Sequence, residues 1–290
     1  MMKTAAVLIA AALSADASEP PVIHDAKLIS AFEKGVGAFA DQGGFPDAEA
    51  LEKSLSEAPR VAPADTRILS APASQPVDAV FLVGSVYKCG RCEHWHPGGV
   101  ATAWAIGTDG LMISNHHVFA NAEGAAMGIC DRHGNTYPVT HILAANPAAD
   151  VALFRVKADK LPTLALGDAA AIGDDVEVIS HPQRQFFFHT FGKVARYSAQ
   201  PARDDQPETV WMNITADFAK GSSGGPAISA SGEVVGMVAS TQSIYYESED
   251  GSPKGPLQMV IKNCVPATAI RQLLGSSANA ETSEPGKIQR

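Results

Sequence analysis

The chain has 290 residues, 46% of them hydrophobic and 18% charged, with a mean hydropathy of zero. That is the balance of a globular protein, long enough for one large domain or two small ones. A net charge of −9 argues against nucleic acid or an anionic membrane surface as a partner.

Residues 1–17 read MMKTAAVLIAAALSADA. Lys3 is a short basic start, Thr4 to Leu13 an apolar stretch, and Ala15-Asp16-Ala17 a small-x-small cleavage site, so this segment is expected to be a secretory signal peptide. No other apolar run is long enough to cross a bilayer. The mature chain is therefore expected to be exported, to the periplasm or the medium, without a membrane span. Residues 18–77 have a different character from the rest of the chain. Ile29–Phe39 and Asp47–Leu55 have weak helical periodicity, and Pro- and Ala-rich pieces surround them. They are read as a partly helical N-terminal extension: a pro-segment, a packing arm or, by default, a linker.

From residue 78 the pattern becomes β-rich. Residues 79–89, 100–107, 111–114, 125–130, 136–144 and 150–156 are short apolar runs broken by Gly, Asp, Asn and Pro. After residue 172 come six more, at 176–182, 186–198, 209–217, 226–231, 233–240 and 257–266. Twelve short strands in two groups predict an all-β fold of two six-stranded antiparallel barrels, residues 78–165 and 172–265. An amphipathic helix over 266–274 should close a domain spanning 78–275, and the polar tail 276–290 is expected to be disordered.

The chemistry centres on Lys220–Pro226, KGSSGGP. A Gly/Ser cluster is by itself most often a surface loop. Three glycines around two serines also suit a tight turn that pushes out a hydroxyl and points backbone N–H groups at one spot, as acyl transfer requires. A serine nucleophile needs a histidine base, and none of the nine histidines follows Ser223. This excludes the Ser-acid-His chain order of the α/β-hydrolases, although GSSGG fits their G-x-S-x-G pattern. Upstream, the apolar run Leu111–Ser114 leads into Asn115-His116-His117-Val118, and Asp150 opens the apolar run Val151-Ala152-Leu153. Residue order and context give His117 as base, Asp150 as its orienting acid and Ser223 as nucleophile. His116, adjacent to the base, is the rival; other loop acids (Asp159, Asp168, Asp174 and Asp175) lack the following V-A-L run.

Taken together, Ser114–Val118, Asp150–Leu153 and Gly221–Pro226 resemble the T-N-x-H-V, D-[IVL]-A-[LV] and G-N-S-G-G-P signatures of the trypsin-like (chymotrypsin-fold) serine peptidases, in particular their bacterial secreted and HtrA-type branch. The resemblance spans about residues 78–275. It implies a serine endopeptidase working through an acyl-enzyme on protein or peptide substrates, without a cofactor. It places the site in the cleft between the barrels and the oxyanion hole at the N–H groups of Gly221 and Ser223. No stretch the size of the branch's PDZ module follows residue 275, so the resemblance is to that branch without its PDZ domain. Ser222 departs from the Asn of that branch and from the Asp of the digestive enzymes, so activation by an Asp–N-terminus ion pair is not expected. Asp217, six residues before Ser223, stands where trypsin-type members carry the acid that selects Lys or Arg, whereas HtrA-like members prefer small aliphatic residues. Ala239, Ser240 and Thr241 are expected to line the substrate pocket and pair with the substrate backbone.

The four cysteines are Cys89, Cys92, Cys130 and Cys264. In an exported protein they suggest two disulfides, with Cys89–Cys92 and Cys130–Cys264 as the first expectation. Cys89, Cys92, His94 and His96 also form a possible zinc-ligand set. The alternative to an active peptidase is a catalytically silent protein of the same fold in which this segment binds a metal or partner. A glycosylation sequon at Asn213-Ile214-Thr215 falls within a strand run and is discounted.

Overall fold

The computed structural model describes residues 22–201, 208–247, 253–275 and 281–282; the segment read as a signal peptide lies outside them. Six strands, β2 (Val80–Lys88), β3 (Trp95–Gly107), β4 (Leu111–Ser114), β5 (Ala126–Cys130), β6 (Thr136–Asn146) and β7 (Val151–Val156), close into an antiparallel barrel in the order β2-β3-β4-β7-β6-β5. Six more form a second closed barrel in the order β8-β9-β10-β13-β12-β11: β8 (Asp175–Ser180), β9 (Phe188–Gln200), β10 (Thr209–Ile214), β11 (Pro226–Ser229), β12 (Val234–Glu247) and β13 (Pro253–Pro266). Closure leaves neither sheet with a free outer strand. The two-residue strand β1 (Leu69–Ser70) pairs in parallel with β14 (Glu281–Thr282), the two described residues of the tail.

The period-2 pattern of β2 decides how the N-terminal segment packs. Phe81 and Val83 join Met112, Ile129 and Phe154 in one buried cluster. Val80 and Leu82, pointing the other way, join Leu28, Phe32 and Val36 in a second. Those three residues line one face of helix α1 (Asp25–Gln42), whereas helix α2 (Ala48–Glu57) buries Leu51 and Leu55 in the first cluster. Asp47 caps α2 by accepting from the N–H of Ala50 at 2.8 Å. The extension thus packs against the first barrel through both helices. Helix α1 is also longer than its periodicity suggests. Gly35 and Gly37 weaken the helical signal, yet a Cβ at either would stand 2.1 Å from Thr136 or 2.2 Å from Trp95, so both permit close packing.

Helix α4 (Ala267–Leu274) buries Ile270, Leu273 and Leu274 and contacts strands of both barrels. Leu273 O accepts from the N–H of Ala62 at 2.7 Å, and Arg271 donates to Gly167 O, in the connection between the barrels, at 2.8 Å. Asn213 is buried, with its amide engaged by Ser198 and Asn263, consistent with discounting the sequon. No helix among the described residues is long and apolar enough to cross a membrane.

The expected Cys130–Cys264 bridge is not formed. Cys130 lies on β5 of the first barrel and Cys264 on β13 of the second. Each is buried with a free thiol in a different apolar cluster. Cysteine spacing cannot reveal which core a cysteine enters; here the barrel topology separates them.

Candidate active site

His117 and Ser223 line one cleft of about 290 Å³, together with Gly99–Ala101 of β3, Lys220 and Gly221. His117 lies in the first turn of the short helix α3 (His116–Ala120), which follows β4 directly. Its backbone N–H, without a partner inside the helix, donates to Asp150 Oδ1 at 3.0 Å, and its Nδ1 lies 2.8 Å from Asp150 Oδ2. An ionised carboxylate only accepts, so Nδ1 is the donor, and in the neutral imidazole that leaves the lone pair on Nε2. One carboxylate therefore fixes both the backbone and the ring of His117.

Asp150 is itself held by its turn. Asn146 Oδ1 accepts from the N–H groups of Ala148 and Ala149 at 3.1 and 3.2 Å, and Asn115 Nδ2 donates to Asp150 O at 2.9 Å. This bends the chain so that Asp150 takes a left-handed conformation, φ 53°, one that Asp tolerates better than most residues. His116 makes no such contact with Asp150. Its burial lowers its pKa from the ordinary value, the Asp150 charge opposing the shift.

The Ser223 loop depends on glycine at two points. Gly221 has φ 98°, and a Cβ there would lie 2.5 Å from His181 O. Gly224 has φ 86°, and a Cβ there would meet Thr102 O at 2.0 Å. The second contact crosses between the barrels. Thr102 of β3 donates its N–H to Ser223 O at 2.8 Å and its hydroxyl to Gly221 O at 3.0 Å, so the first barrel grips the serine loop of the second. Ser222 is fully buried, and Ser180 Oγ donates to its hydroxyl at 3.0 Å. A buried hydroxyl pair thus occupies this position. Ser223 Oγ donates to Ala239 O at 3.4 Å. Among the described residues the N–H groups of Gly221 and Ser223 have no hydrogen-bond partner, whereas those of Ser222, Gly224 and Gly225 are all used.

The other anticipated residues divide. The edge of β12 opposite β13 is paired with β11 only as far as Met237, so Ala239, Ser240 and Thr241 present backbone on that side. Asp217 does not stand as a free acid: its largely exposed carboxylate is ion-paired with Lys262 Nζ of β13. Cys89 and Cys92 are unbonded, their sulfurs 3.5 Å apart. Thr102, Ser180, His181 and Lys262 carry no sequence signal of a role here. Each lies in or beside an unremarkable strand run, and only barrel closure brings it to the site.

Residues 101–237 match the family described as "Trypsin-like peptidase domain". A probable periplasmic serine endoprotease, DegP-like, of Pseudomonas fulva is 27% identical over 237 residues, covering 77% of this chain and 42% of that protein. One of the same name from Ectopseudomonas mendocina is 29% identical over 151 residues, 49% of this chain and 31% of its own. The mitochondrial serine protease HTRA2 of Bos taurus is 32% identical over 143 residues, 47% of this chain and 30% of its own. The chain spans less than half the length of each of these relatives. With two closed six-stranded barrels and a cleft between them, the chain carries a trypsin-like peptidase domain and is a homologue of the DegP/HtrA serine endoproteases.

Proposed function

We propose that the protein is an exported serine endopeptidase in which Ser223 is the nucleophile, His117 the general base and acid, and Asp150 the residue that orients His117 and balances its charge. The observation that carries this reading is the double hold of Asp150 on the N–H and Nδ1 of His117, in a cleft shared with Ser223. Ser223 Oγ attacks the scissile carbonyl carbon while its proton passes to His117 Nε2. The oxygen of the tetrahedral intermediate is received by the free N–H groups of Gly221 and Ser223, an interaction whose loss typically costs ~10²–10³ in rate. His117 then gives its proton to the leaving amine, and water repeats the sequence on the acyl-enzyme. Although Ser223 Oγ faces Ala239 O rather than His117 in the free protein, catalytic hydrogen bonds commonly tighten only with substrate bound.

The substrate binds as an added strand along the open edge of Ala239–Thr241. Asp217 is paired to Lys262 and is not among the residues that line the cleft, so the preference for small aliphatic side chains implied by the HtrA-type resemblance is favoured over selection of basic residues. Export is supported by the periplasmic names of the DegP-like relatives. A biotinylated fluorophosphonate probe tests the nucleophile. The reading predicts one label, on the peptide containing Ser223, and none on Ser223→Ala; labelling elsewhere, or no labelling of the wild type, contradicts it.

A further inference from the structure

The hairpin joining β2 to β3 extends beyond the barrel and carries chemistry that peptide hydrolysis does not use. Cys89 Sγ lies 3.5 Å from Cys92 Sγ, and Cys92 Sγ lies 3.1 Å from His96 Nε2. The three donor atoms all fall within 4.8 Å of one another. Gly90, with φ 71° and open space where a Cβ would be, lets the chain double back so that both thiols face the same point. His94, two residues before His96, stands outside this group.

Two fates are open to such a pair, and distance separates them. A disulfide needs its sulfurs at about 2.0 Å, so these would have to close by roughly 1.5 Å. In a tetrahedral zinc site, with Zn–S about 2.3 Å and Zn–N about 2.0–2.1 Å, the donors stand about 3.5–3.8 Å apart. The observed separations need only a small opening. Two thiolates and an imidazole are also the donor set that borderline-soft cations prefer over magnesium or calcium.

We propose that Cys89, Cys92 and His96 form a binding site for a zinc-class divalent cation, with water in the fourth position. Binding releases the two thiol protons to solvent as the sulfurs coordinate. Cys130 and Cys264 do not compete, since burial pushes both of their thiols up. The site would stiffen the part of the hairpin that holds the N-terminal arm. Trp95 Nε1 donates to Asp41 Oδ2 at the end of α1 at 3.1 Å, and Lys88 Nζ sits 4.7 Å over the Trp95 ring. This inference does not depend on the peptidase reading, because its readouts are metal uptake and stability.

The test is titration of the reduced, chelator-stripped protein with Zn²⁺ alone, followed by a competing colorimetric chelator, and with Co²⁺ for its thiolate charge-transfer band. One equivalent of zinc bound, a cobalt–thiolate band and a raised Tm are expected. Cys89→Ser with Cys92→Ser should abolish all three, and His96→Ala should weaken zinc binding by more than an order of magnitude. The hairpin tip is exposed, so the serine variants should keep the wild-type far-UV dichroism; should the double variant not fold, Cys92→Ser alone gives the same readout. No uptake by the reduced wild type, equal uptake by the cysteine variants, or peptide mapping that finds a Cys89–Cys92 disulfide in the zinc-treated protein overturns the proposal.

Discussion

At the scale of single residues, the candidate site combines groups that announce themselves with groups that do not. Gly221 and Gly224 are visible in the sequence because few other segments need glycine so densely, and the structure gives each a backbone oxygen within 2.5 Å of where a Cβ would stand. Asp150 and His117 are visible because each sits at the end of an apolar strand run. Thr102 is not, since its two bonds to the serine loop exist only across the barrel boundary. Nor is His181, whose carbonyl backs Gly221. Its ring is fully buried, Nδ1 accepts from the N–H of Phe187 at 3.0 Å, and Nε2 has no hydrogen-bond partner among the described residues. Burial lowers its pKa to about 4. The unfolded chain, with an ordinary histidine near 6.5, binds the proton more readily through that interval, so stability rises with pH and is lost as pH falls from about 6.5 to about 4. The loss from this group is on the order of 3 kcal/mol. Urea unfolding across that range should show the slope in the wild type and a flatter one in His181→Asn, whose side-chain oxygen can still accept from Phe187; equal slopes would remove His181 as the cause.

Among elements, strands are easier to read than the helix packed on them. The β runs are rich in Val and Ile and end at Gly, Asp or Pro, so twelve of them can be placed and divided into two groups without knowledge of their pairing. Helix α1 carries a weak signal because its two glycines serve close contact rather than helix propensity. What makes it part of the fold is its buried face. Phe32 is fully buried between the helix and β2, and Asp25 at its start accepts from the N–H of Phe186 at 3.0 Å, in the loop that backs the serine turn. Phe32→Ala is expected to cost about 3–5 kcal/mol in chemical unfolding. A change within a few tenths of a kcal/mol would mean that the arm is dispensable, as a linker or a removable pro-segment would be.

The molecule as a whole works by bringing two closed sheets together. His117 and Asp150 belong to the first barrel and Ser223 to the second, so the candidate site exists only where they dock. Helix α4, which touches both, and Thr102, which crosses the boundary, fix that docking. Such pairings are long-range and leave no local trace, which is why the Asp217–Lys262 ion pair and the separation of Cys130 from Cys264 emerge only from the fold. The order His, Asp, Ser along the chain is legible because it survives any arrangement of the barrels. The most direct test of the central claim is hydrolysis of fluorescent casein by the mature protein beside Ser223→Ala. Turnover by the wild type, with a drop of orders of magnitude, up to ~10⁶, in the variant, is the predicted result; equal rates from the two proteins, or no turnover by either, would contradict it.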